Sequence, residues 1–360
     1  MPIAFHPASD HGYLLGIAAV LFNDRTFKIS DELPEELFWL FGEQALETFR
    51  GLPMSGLAKS AAFPDAGTFI LRDHDLYLSL NVSGTGLSGR GSHGHNDALS
   101  LDIAACGTSF IGDPGTYVYT ADLALRHQFR STSYHSTVEV DGREQNTIEE
   151  GTPFDIGDEA RPHQLHWESS DERDLVIAEH YGYKNLPNGQ ITHRRAVSFE
   201  KTERYWLIED TLLGSGKHTF RFCFHIAPGL EILSKGDGLT EVRDKENNAR
   251  LLIASLDLKE DPVAESHAKP PAESDSRKKA LDLKQEPSVE PRWFSRDYGA
   301  KTPSVALCWT VEAEAPLHIR WVLVPICGGD NTDTPLALVE HLRTASTRNC
   351  NPVSNLRSEI

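Results

Sequence analysis

Short segments in which apolar and polar residues alternate recur through most of this chain, and turn-forming residues separate them. Residues 68–83 alternate as a strand pair with a turn near Asp73–Asp75, and residues 98–115 repeat this pattern around Gly-Thr and Pro-Gly turns. Because no clear helical segment interrupts the series, it predicts a large antiparallel β-sandwich. The other segments of this kind are 135–142, 166–183, 191–199, 205–212, 218–226, 250–255, 303–311 and 318–325.

The N-terminal part of the chain has a different, helical pattern. A candidate N-cap at Asp10 precedes one apolar helical segment, and Pro34 followed by two glutamates precedes a second. Two helices make a poor domain alone, because each needs a surface to bury its apolar side. We therefore expect a helical segment over residues 1–52 and a β-sandwich domain over residues 53–345.

One internal stretch and the C-terminal end break the strand pattern. Residues 257–291 are rich in Lys, Glu, Pro and Ser and contain no aromatic residue. Such a composition cannot bury enough apolar surface to fold, so it predicts a solvated, disordered insertion. Residues 346–360 are predicted to be a flexible tail.

The composition limits the classes of partner. The chain has 360 residues and a formal net charge of −18, which argues against nucleic acid and anionic membrane surfaces as partners. The apolar run near the N-terminus is too short to span a bilayer, and no basic secretory start precedes it. We expect either a cytoplasmic protein or part of a longer one whose export signal lies elsewhere.

The five cysteines are scattered and include no CxxC pair. Their spacing therefore predicts neither a disulfide framework nor a zinc–thiolate site. Cys106, Cys223 and Cys308 lie in apolar runs, and buried free thiols are the expected state for them.

Two histidines and an aspartate suggest a metal site. His93 and His95 are separated by one glycine, and on a strand this spacing places both side chains on one face. Asp113 and His135 lie at two further predicted strand ends, so an N/O metal site could form where the strand ends meet. The alternatives are a hydrogen-bonded histidine pair, a turn-forming aspartate and a half-buried strand histidine.

Three segments of the chain resemble a known family. Three segments in order, SHGHNDALSLDIAACGTSFIGDPGTYVYT, RHQFRSTSYHSTVEVDGREQN and WFSRDYGAKTPS, resemble the C-terminal region of the heparinase II/III-like polysaccharide lyases, which include heparin, heparan sulfate and alginate lyases. The resemblance covers residues 60–230, with a weaker match at Trp293–Ser304. It implies a mainly β fold, a sandwich preceded by the end of an (α/α) toroid. It also implies an acidic polysaccharide substrate and location in the periplasm or cell envelope.

The resemblance assigns the metal ligands and the residues that face the substrate. His95, Asp113 and His135 match the ligands of a zinc ion that is mainly structural in this family. His93 matches a residue that neutralises the substrate carboxylate or assists proton transfer. A tyrosine of the GTYVY segment approaches the sugar, and Tyr119 is slightly favoured over Tyr117. The alternative for both tyrosines is a packed strand residue with a solvated hydroxyl.

These residue types suit the reaction that the resemblance implies. Such lyases remove the C5 proton of a uronic acid and expel the oxygen at C4. Neutralising the carboxylate stabilises the enolate-like intermediate, and a Tyr or His transfers the protons. Arg90, Arg126, His127 and Arg130 are candidate cations for the polyanionic substrate, with ordinary surface or structural roles as the alternative.

The chain departs from the family in its helical part. The family places an Asn/His pair and its principal catalytic Tyr in the toroid, whereas His11 and Tyr13 here match no such motif. We therefore expect weak or no lyase activity from the chain alone, because half of the cleft is missing. The chain would then be a lyase fragment, would work with a separately encoded toroid, or would be a non-catalytic carbohydrate-binding sandwich that retains zinc.

A cupin-like metalloenzyme is a further alternative for the histidine pair. That class requires a Glu a few residues after the second histidine, and this chain has Asp97 there. The GDPGTYVY segment also has no counterpart in a cupin-like site.

Overall fold

The computed structural model describes residues 12–56, 58–86, 91–256, 286–329 and 333–346. Arg90, most of the predicted insertion over residues 257–291 and nearly all of the predicted tail lie outside the described residues. So do Asp10, the candidate N-cap, and Cys350.

Helices are few in the described part of the chain. The predicted second N-terminal helix is divided in two at Gly42, whose positive φ of 76° ends one helix and begins the next. The three N-terminal helices pack on one another through a small cluster that includes Leu37 and Phe49. The α-helices are α1 (Gly12–Leu21), α2 (Glu35–Phe41), α3 (Glu43–Gly51), α4 (Leu123–Phe129) and α5 (Asp333–Ser346).

Two antiparallel sheets form the rest of the described chain. The first sheet has the order β1-β2-β3-β4-β5-β11-β16-β15, with β6 also paired to β11. Its strands are β1 (Ala61–Phe63), β2 (Thr68–Asp73), β3 (Leu76–Asn81), β4 (Leu101–Ala105), β5 (Thr108–Ile111), β6 (Val138–Val140), β11 (Lys217–Ile226), β15 (Ser288–Phe294) and β16 (Thr302–Glu314).

The second sheet has the order β12-β13-β14-β17-β10-β9-β8-β7. Its strands are β7 (His163–Ser169), β8 (Arg173–Tyr183), β9 (Ile191–Glu200), β10 (Tyr205–Gly214), β12 (Glu231–Gly236), β13 (Leu239–Arg243), β14 (Arg250–Leu256) and β17 (Leu317–Ile326).

The two sheets bury a common core. In β3 the apolar residues Leu76, Leu78 and Leu80 are buried and alternate with partly exposed residues, as expected for a strand with one face toward a core. The same core contains Trp206 of β10 and Trp321 of β17, from the opposite sheet. The predicted antiparallel β-sandwich is confirmed.

Several boundaries differ from the predictions. The segment 166–183, predicted as one strand, is the hairpin β7–β8 with a turn after Ser169, because the run SSDERD supplies turn residues. Strands β12 and β13 and helices α4 and α5 were not predicted. The end of the predicted insertion also differs, since residues from Ser288 onward form β15.

The expectation of buried free thiols was wrong for three cysteines. Cys106 is disulfide-bonded to Cys327, and Cys223 to Cys308. The partners are 221 and 85 residues apart, so no local spacing signals them. The first pair connects the β4–β5 turn to the end of β17 and thus joins the two sheets.

Within the described ranges, no helix is long and apolar enough to cross a membrane.

Candidate metal centre and catalytic pair

The three predicted metal ligands come together at one end of the first sheet. His95 lies in the irregular segment before β4, Asp113 follows β5, and His135 follows a short 3-10 turn before β6. Nδ1 of His95 lies 3.2 Å from Nε2 of His135, and that nitrogen lies 3.4 Å from Oδ2 of Asp113. One ligand atom from each residue lies within 4.8 Å of the other two. Residues that are 18 and 22 positions apart in sequence therefore form one cluster.

The cluster fits a tetrahedral zinc site with one open position. Ligand bonds of about 2.0–2.1 Å give a tetrahedron with edges of roughly 3.3–3.4 Å, close to the two separations above. Nδ1 of His135 donates to the carbonyl oxygen of Ser131 at 2.8 Å, which leaves Nε2 as the ligand atom. The backbone N–H of Gly115 donates to Oδ1 of Asp113 at 2.7 Å, which leaves Oδ2 facing the cluster.

Within the cluster, His135 and Asp113 stabilise each other's charged forms. Burial opposes charge on both groups, but the hydrogen bond and the charges of the pair outweigh it. The pKa of His135 is raised to about 9, and the pKa of Asp113 is held well below its usual range. Burial and the neighbouring His135 lower the pKa of His95 to about 3. The cluster thus pairs a protonated His135 with the ionised Asp113 carboxylate, beside a neutral His95.

A buried arginine lies directly behind the cluster. Nη1 of Arg126, on α4, lies 2.9 Å from Nε2 of His95, and Nε donates to the carbonyl oxygen of Pro153 at 3.1 Å. The guanidinium carbon also lies 5.0 Å from the centroid of the Tyr119 ring. A metal on Nδ1 of His95 leaves the ring proton on Nε2, so metal binding requires the Arg126 guanidinium to withdraw slightly.

His93 and Tyr119 form a second pair beside the cluster. Nδ1 of His93 lies 3.1 Å from the hydroxyl oxygen of Tyr119, and the His93 side chain is exposed. Tyr117 is placed differently, because its ring stacks on Phe129 with centroids 5.4 Å apart. Of the two predicted tyrosines, only Tyr119 contacts His93 among the described residues.

The structure places the histidine pair and two of the predicted arginines differently from the sequence expectation. The segment with His93 and His95 consists of turns rather than a strand, so the strand explanation of their spacing was wrong. Arg126 and Arg130 are fully buried, and Nη2 of Arg130 donates to the carbonyl oxygen of Asp155 at 2.7 Å. Their predicted contact with substrate stays a prediction, while the visible contacts hold the 153–155 segment against α4.

The GREQN motif holds the loops that carry the ligands. Oε2 of Glu144 accepts from Nδ2 of Asn96 and from the backbone N–H of Thr132, both at 2.7 Å. The Gln145 side chain exchanges two hydrogen bonds with the backbone of Ala98. The residue after His95 and a residue just before His135 therefore share one carboxylate.

A buried arginine of the second sheet connects the same two segments. Nη1 of Arg195 donates to the carbonyl oxygens of Leu99 and Ser136, at 2.6 and 2.9 Å. Asp210 on the neighbouring strand binds the same guanidinium through both carboxylate oxygens, at 2.7 and 3.0 Å. We call Arg195 and Asp210 the inter-sheet clamp. It fixes the backbone beside both histidine ligands.

Sequence reasoning missed three side chains near the pair. Phe154 and Tyr298 pack around Tyr119, and Nζ of Lys301 lies 4.6 Å from the ring centroid of Tyr117. Tyr298 and Lys301 lie in the WFSRDYGAKTPS segment, which was recognised as a motif without an assigned role. No sequence signal identified Phe154.

Comparison with known proteins agrees with this architecture. The family model described as heparinase II/III-like, C-terminal, matches residues 55–322. The chain belongs to this family. The heparinase II/III-like resemblance drawn from the three sequence segments is thereby confirmed.

Solved structures of heparinases share the fold at low sequence identity. A heparinase III gene product matches at 18% identity and a TM-score of 0.62. The match covers 88% of this chain and 41% of the heparinase III chain. The heparan sulfate lyase HepC from Pedobacter heparinus matches at 17% identity and a TM-score of 0.62, covering 91% and 43%. This heparinase II/III-like chain thus spans about two-fifths of the length of those proteins. No curated protein matches the chain.

Proposed function

We propose that this chain supplies the β-sandwich half of a lyase site that cleaves uronic-acid-containing polysaccharide by β-elimination. The observation that carries the proposal is the 3.1 Å contact between His93 and Tyr119, beside the cluster of His95, Asp113 and His135. Family membership supports the reaction class, because these proteins are heparinase II/III-like.

In this proposal the exposed His93 binds the uronate carboxylate and Tyr119 moves protons. The C5–H bond breaks and its proton passes to a basic side chain supplied by the helical half. The electron pair forms the C4=C5 double bond, and the C4–O bond breaks with its electrons on the leaving oxygen. A proton from the Tyr119 hydroxyl neutralises that oxygen, and solvent then reprotonates the phenolate. An N–H at Nδ1 of His93, 3.1 Å from the phenolic oxygen, would donate to that oxygen and stabilise the phenolate left after the transfer.

We further propose that His95, Asp113 and His135 hold a structural zinc ion. When bound, zinc supplies positive charge that fixes the three loops at the floor of the cleft. These loops carry His93 and Tyr119, so the metal sets their spacing without entering the proton transfers.

The proposal includes a helical half, either in the same polypeptide or separately encoded. The N-terminal helices and the turn after α1 present exposed apolar side chains, of which Trp39 on α2 has 71% of its surface accessible and Phe22 after α1 has 65%. Apolar patches of this kind mark surfaces that bury against a partner. A further helical domain on this surface would close the open side of the cleft and exclude water from it.

We also propose that the protein acts in the periplasm or cell envelope. Its two cysteine pairs support this, because disulfides persist mainly in oxidising compartments. Alkylation of free thiols in protein from the native host, with and without reductant, checks the assignment. Four cysteines that react only after reduction are the expected result, and four that react without it would contradict the proposal.

The lyase proposal is tested by ultraviolet absorbance of the unsaturated uronate product. Heparan sulfate, alginate and hyaluronan are mixed with the chain alone and with the toroid domain of a relative added. Weak or no turnover alone and clear turnover with the toroid are expected. Saturable polysaccharide binding without turnover, even with the toroid, would contradict the lyase proposal and favour a non-catalytic carbohydrate-binding sandwich.

A further inference from the structure

Three aromatic rings form a contiguous surface next to His93. The Tyr119 ring lies between those of Phe154 and Tyr298, with centroid distances of 5.7 and 5.8 Å. Tyr298 has 64% of its surface accessible and Phe154 has 37%. The His93 ring contacts both Tyr119 and Phe154, with centroids 5.3 and 6.3 Å apart. We call Tyr119, Phe154 and Tyr298 the aromatic shelf.

Backbone contacts fix the position of Tyr298. The N–H of Ser295 donates to the carbonyl oxygen of Pro114 at 2.8 Å, and the N–H of Gly299 donates to that of Tyr117 at 2.7 Å. Gly115 has a φ of 79°, and a Cβ there would collide with the carbonyl oxygen of Ser295. The loop that carries Tyr119 and the turn that carries Tyr298 are therefore built to pack closely.

A positive charge lies on the same turn. Nζ of Lys301 lies 4.6 Å from the ring centroids of both Tyr117 and Trp293. Cation–π contacts of this kind hold an ammonium group in place without neutralising it. In a chain of net charge −18, this places a cation beside an exposed apolar shelf.

We propose that Tyr298 and Phe154 form a sugar-binding subsite adjoining the His93–Tyr119 pair. The subsite stacks the C–H face of a pyranose ring in an acidic oligosaccharide, and Lys301 attracts the carboxylate of a neighbouring unit. This inference rests on the proposed function, since it names the part of the site that orients the same substrate. A stacking role also explains why the Tyr298 ring stays exposed although its turn is hydrogen-bonded to the loop that carries Tyr119.

The test measures binding of defined alginate, hyaluronan and heparan sulfate oligosaccharides to the full chain by calorimetry. We expect Tyr298→Ala and Phe154→Ala each to weaken the affinity about 3- to 10-fold for the bound oligosaccharide. Tyr298→Phe keeps the ring and should stay within about 2-fold of the original chain. Phe63→Ala, which removes an exposed aromatic side chain outside the shelf, is the matched control.

The outcomes separate this inference from the proposed function. If the original chain binds an oligosaccharide and Tyr298→Ala binds it equally well, the subsite is wrong while the proposed function stands. If the original chain binds none of the three classes, the subsite is wrong, and turnover with an added toroid decides the proposed function separately. If Tyr298→Ala leaves sugar binding intact and weakens docking of an added toroid, the shelf is a domain interface and the subsite is contradicted.

Discussion

Tyr117 and Tyr119 lie in one loop, yet their hydroxyl groups have different surroundings. The Tyr119 hydroxyl contacts His93, whereas the Tyr117 ring stacks on Phe129 under the Lys301 ammonium. Tyr117 also has a positive φ of 61°, which turns the chain between the two rings. At the scale of single residues, the structure therefore distinguishes the two tyrosines, and only Tyr119 contacts the histidine with which the proposed function pairs it.

Replacing Tyr119 by Phe should abolish most of the turnover. The substitution keeps the packed ring and removes only the hydroxyl that the proposed function assigns to proton transfer, so we expect kcat to fall about 10²- to 10⁴-fold. The measurement is uronate absorbance with the toroid supplied. Tyr117→Phe is the matched control and should stay within about 3-fold. Full activity of Tyr119→Phe would show that Tyr119 does not transfer protons.

The sequence predicted the residues of the cluster better than their surroundings. His95, Asp113 and His135 were assigned by motif, and the structure brings them together. Phe154 could not be predicted, because its place near Tyr119 depends on a loop that returns across α4. The burial of Arg126 could not be predicted either, since a charged residue on a short helix ordinarily faces solvent.

Strand β9 shows how one element supports the site from the opposite sheet. Successive residues of a strand point to opposite faces, so Arg194 and Arg195 have different roles. Arg194 pairs with Glu179 at 2.6 Å, with its side chain partly exposed. Arg195 is buried and forms the inter-sheet clamp with Asp210, which holds the carbonyl groups of Leu99 and Ser136.

Replacing Arg195 by Lys should weaken zinc binding. Lys keeps the charge but loses the planar fork that binds Asp210 and two carbonyl oxygens together, so the loops with His95 and His135 lose a common anchor. We expect zinc affinity, measured by competition with a chelator, to fall about 10-fold or more. Thermal unfolding is recorded in parallel.

Arg194→Lys is the control for this experiment, because it makes the same chemical change one residue away. It should leave zinc affinity within about 2-fold. If Arg195→Lys lowers the unfolding temperature and leaves zinc affinity unchanged, the clamp serves stability alone and its positioning role is wrong.

Elements were predictable where one face is buried. Strands such as β3 alternate over six residues and were identified, as was the β4–β5 turn at Cys106 and Gly107. Strand β13 is buried at four of its five positions and shows no alternation. Helix α4 has only seven residues. Its N-cap is Asp122, whose side chain accepts a hydrogen bond from the Leu125 N–H, and this contact could not be predicted from the sequence. Short elements of this kind depend on tertiary contacts rather than local pattern.

At the scale of the whole molecule, a buried chain of polar groups crosses three strands of the second sheet, β8, β9 and β10. The N–H of Gly182 donates to Nδ1 of His180, whose Nε2 donates to Nδ1 of His193 at 3.2 Å. Nε2 of His193 then donates to Asp210 at 2.7 Å. Burial lowers the pKa of both histidines. At His180 the charges of His193 and Arg195 lower the pKa further. Both rings are therefore neutral in the folded protein.

Stability should fall as the pH drops below about 6.5. In that range the unfolded chain protonates His180 and His193 with ordinary affinity, whereas the folded protein does not, so unfolding takes up protons. Asp210 adds to the loss only at lower pH, because Arg195 and His193 overcome the effect of burial and hold its pKa below the ordinary value. Urea unfolding midpoints at pH 7.5 and pH 5.5 measure the effect.

His180→Gln should flatten this pH dependence, because it removes one of the two imidazoles of this polar chain. His74→Gln, on an exposed turn residue, should leave the dependence unchanged. The assignment would be contradicted if the original chain had the same urea midpoint at both pH values. It would also be contradicted if the midpoint changed equally with pH in His180→Gln and in the original chain.

The overall architecture was predictable, whereas its covalent and polar connections were not. Alternation and turn residues specify a sandwich, since each strand must bury one face against another layer. The disulfide between Cys106 and Cys327 and the contact between Arg195 and Leu99 join segments far apart in sequence. Such pairs follow from how the two sheets stack, which no local pattern reports.

Anomalous diffraction at the zinc absorption edge, from crystals grown with zinc, tests the central claim most directly. The account predicts one strong peak about 2.0–2.1 Å from Nδ1 of His95, Nε2 of His135 and Oδ2 of Asp113. It also predicts that this peak disappears in His135→Ala and remains in His93→Ala. No peak among these three side chains, or a peak that survives His135→Ala, would contradict it.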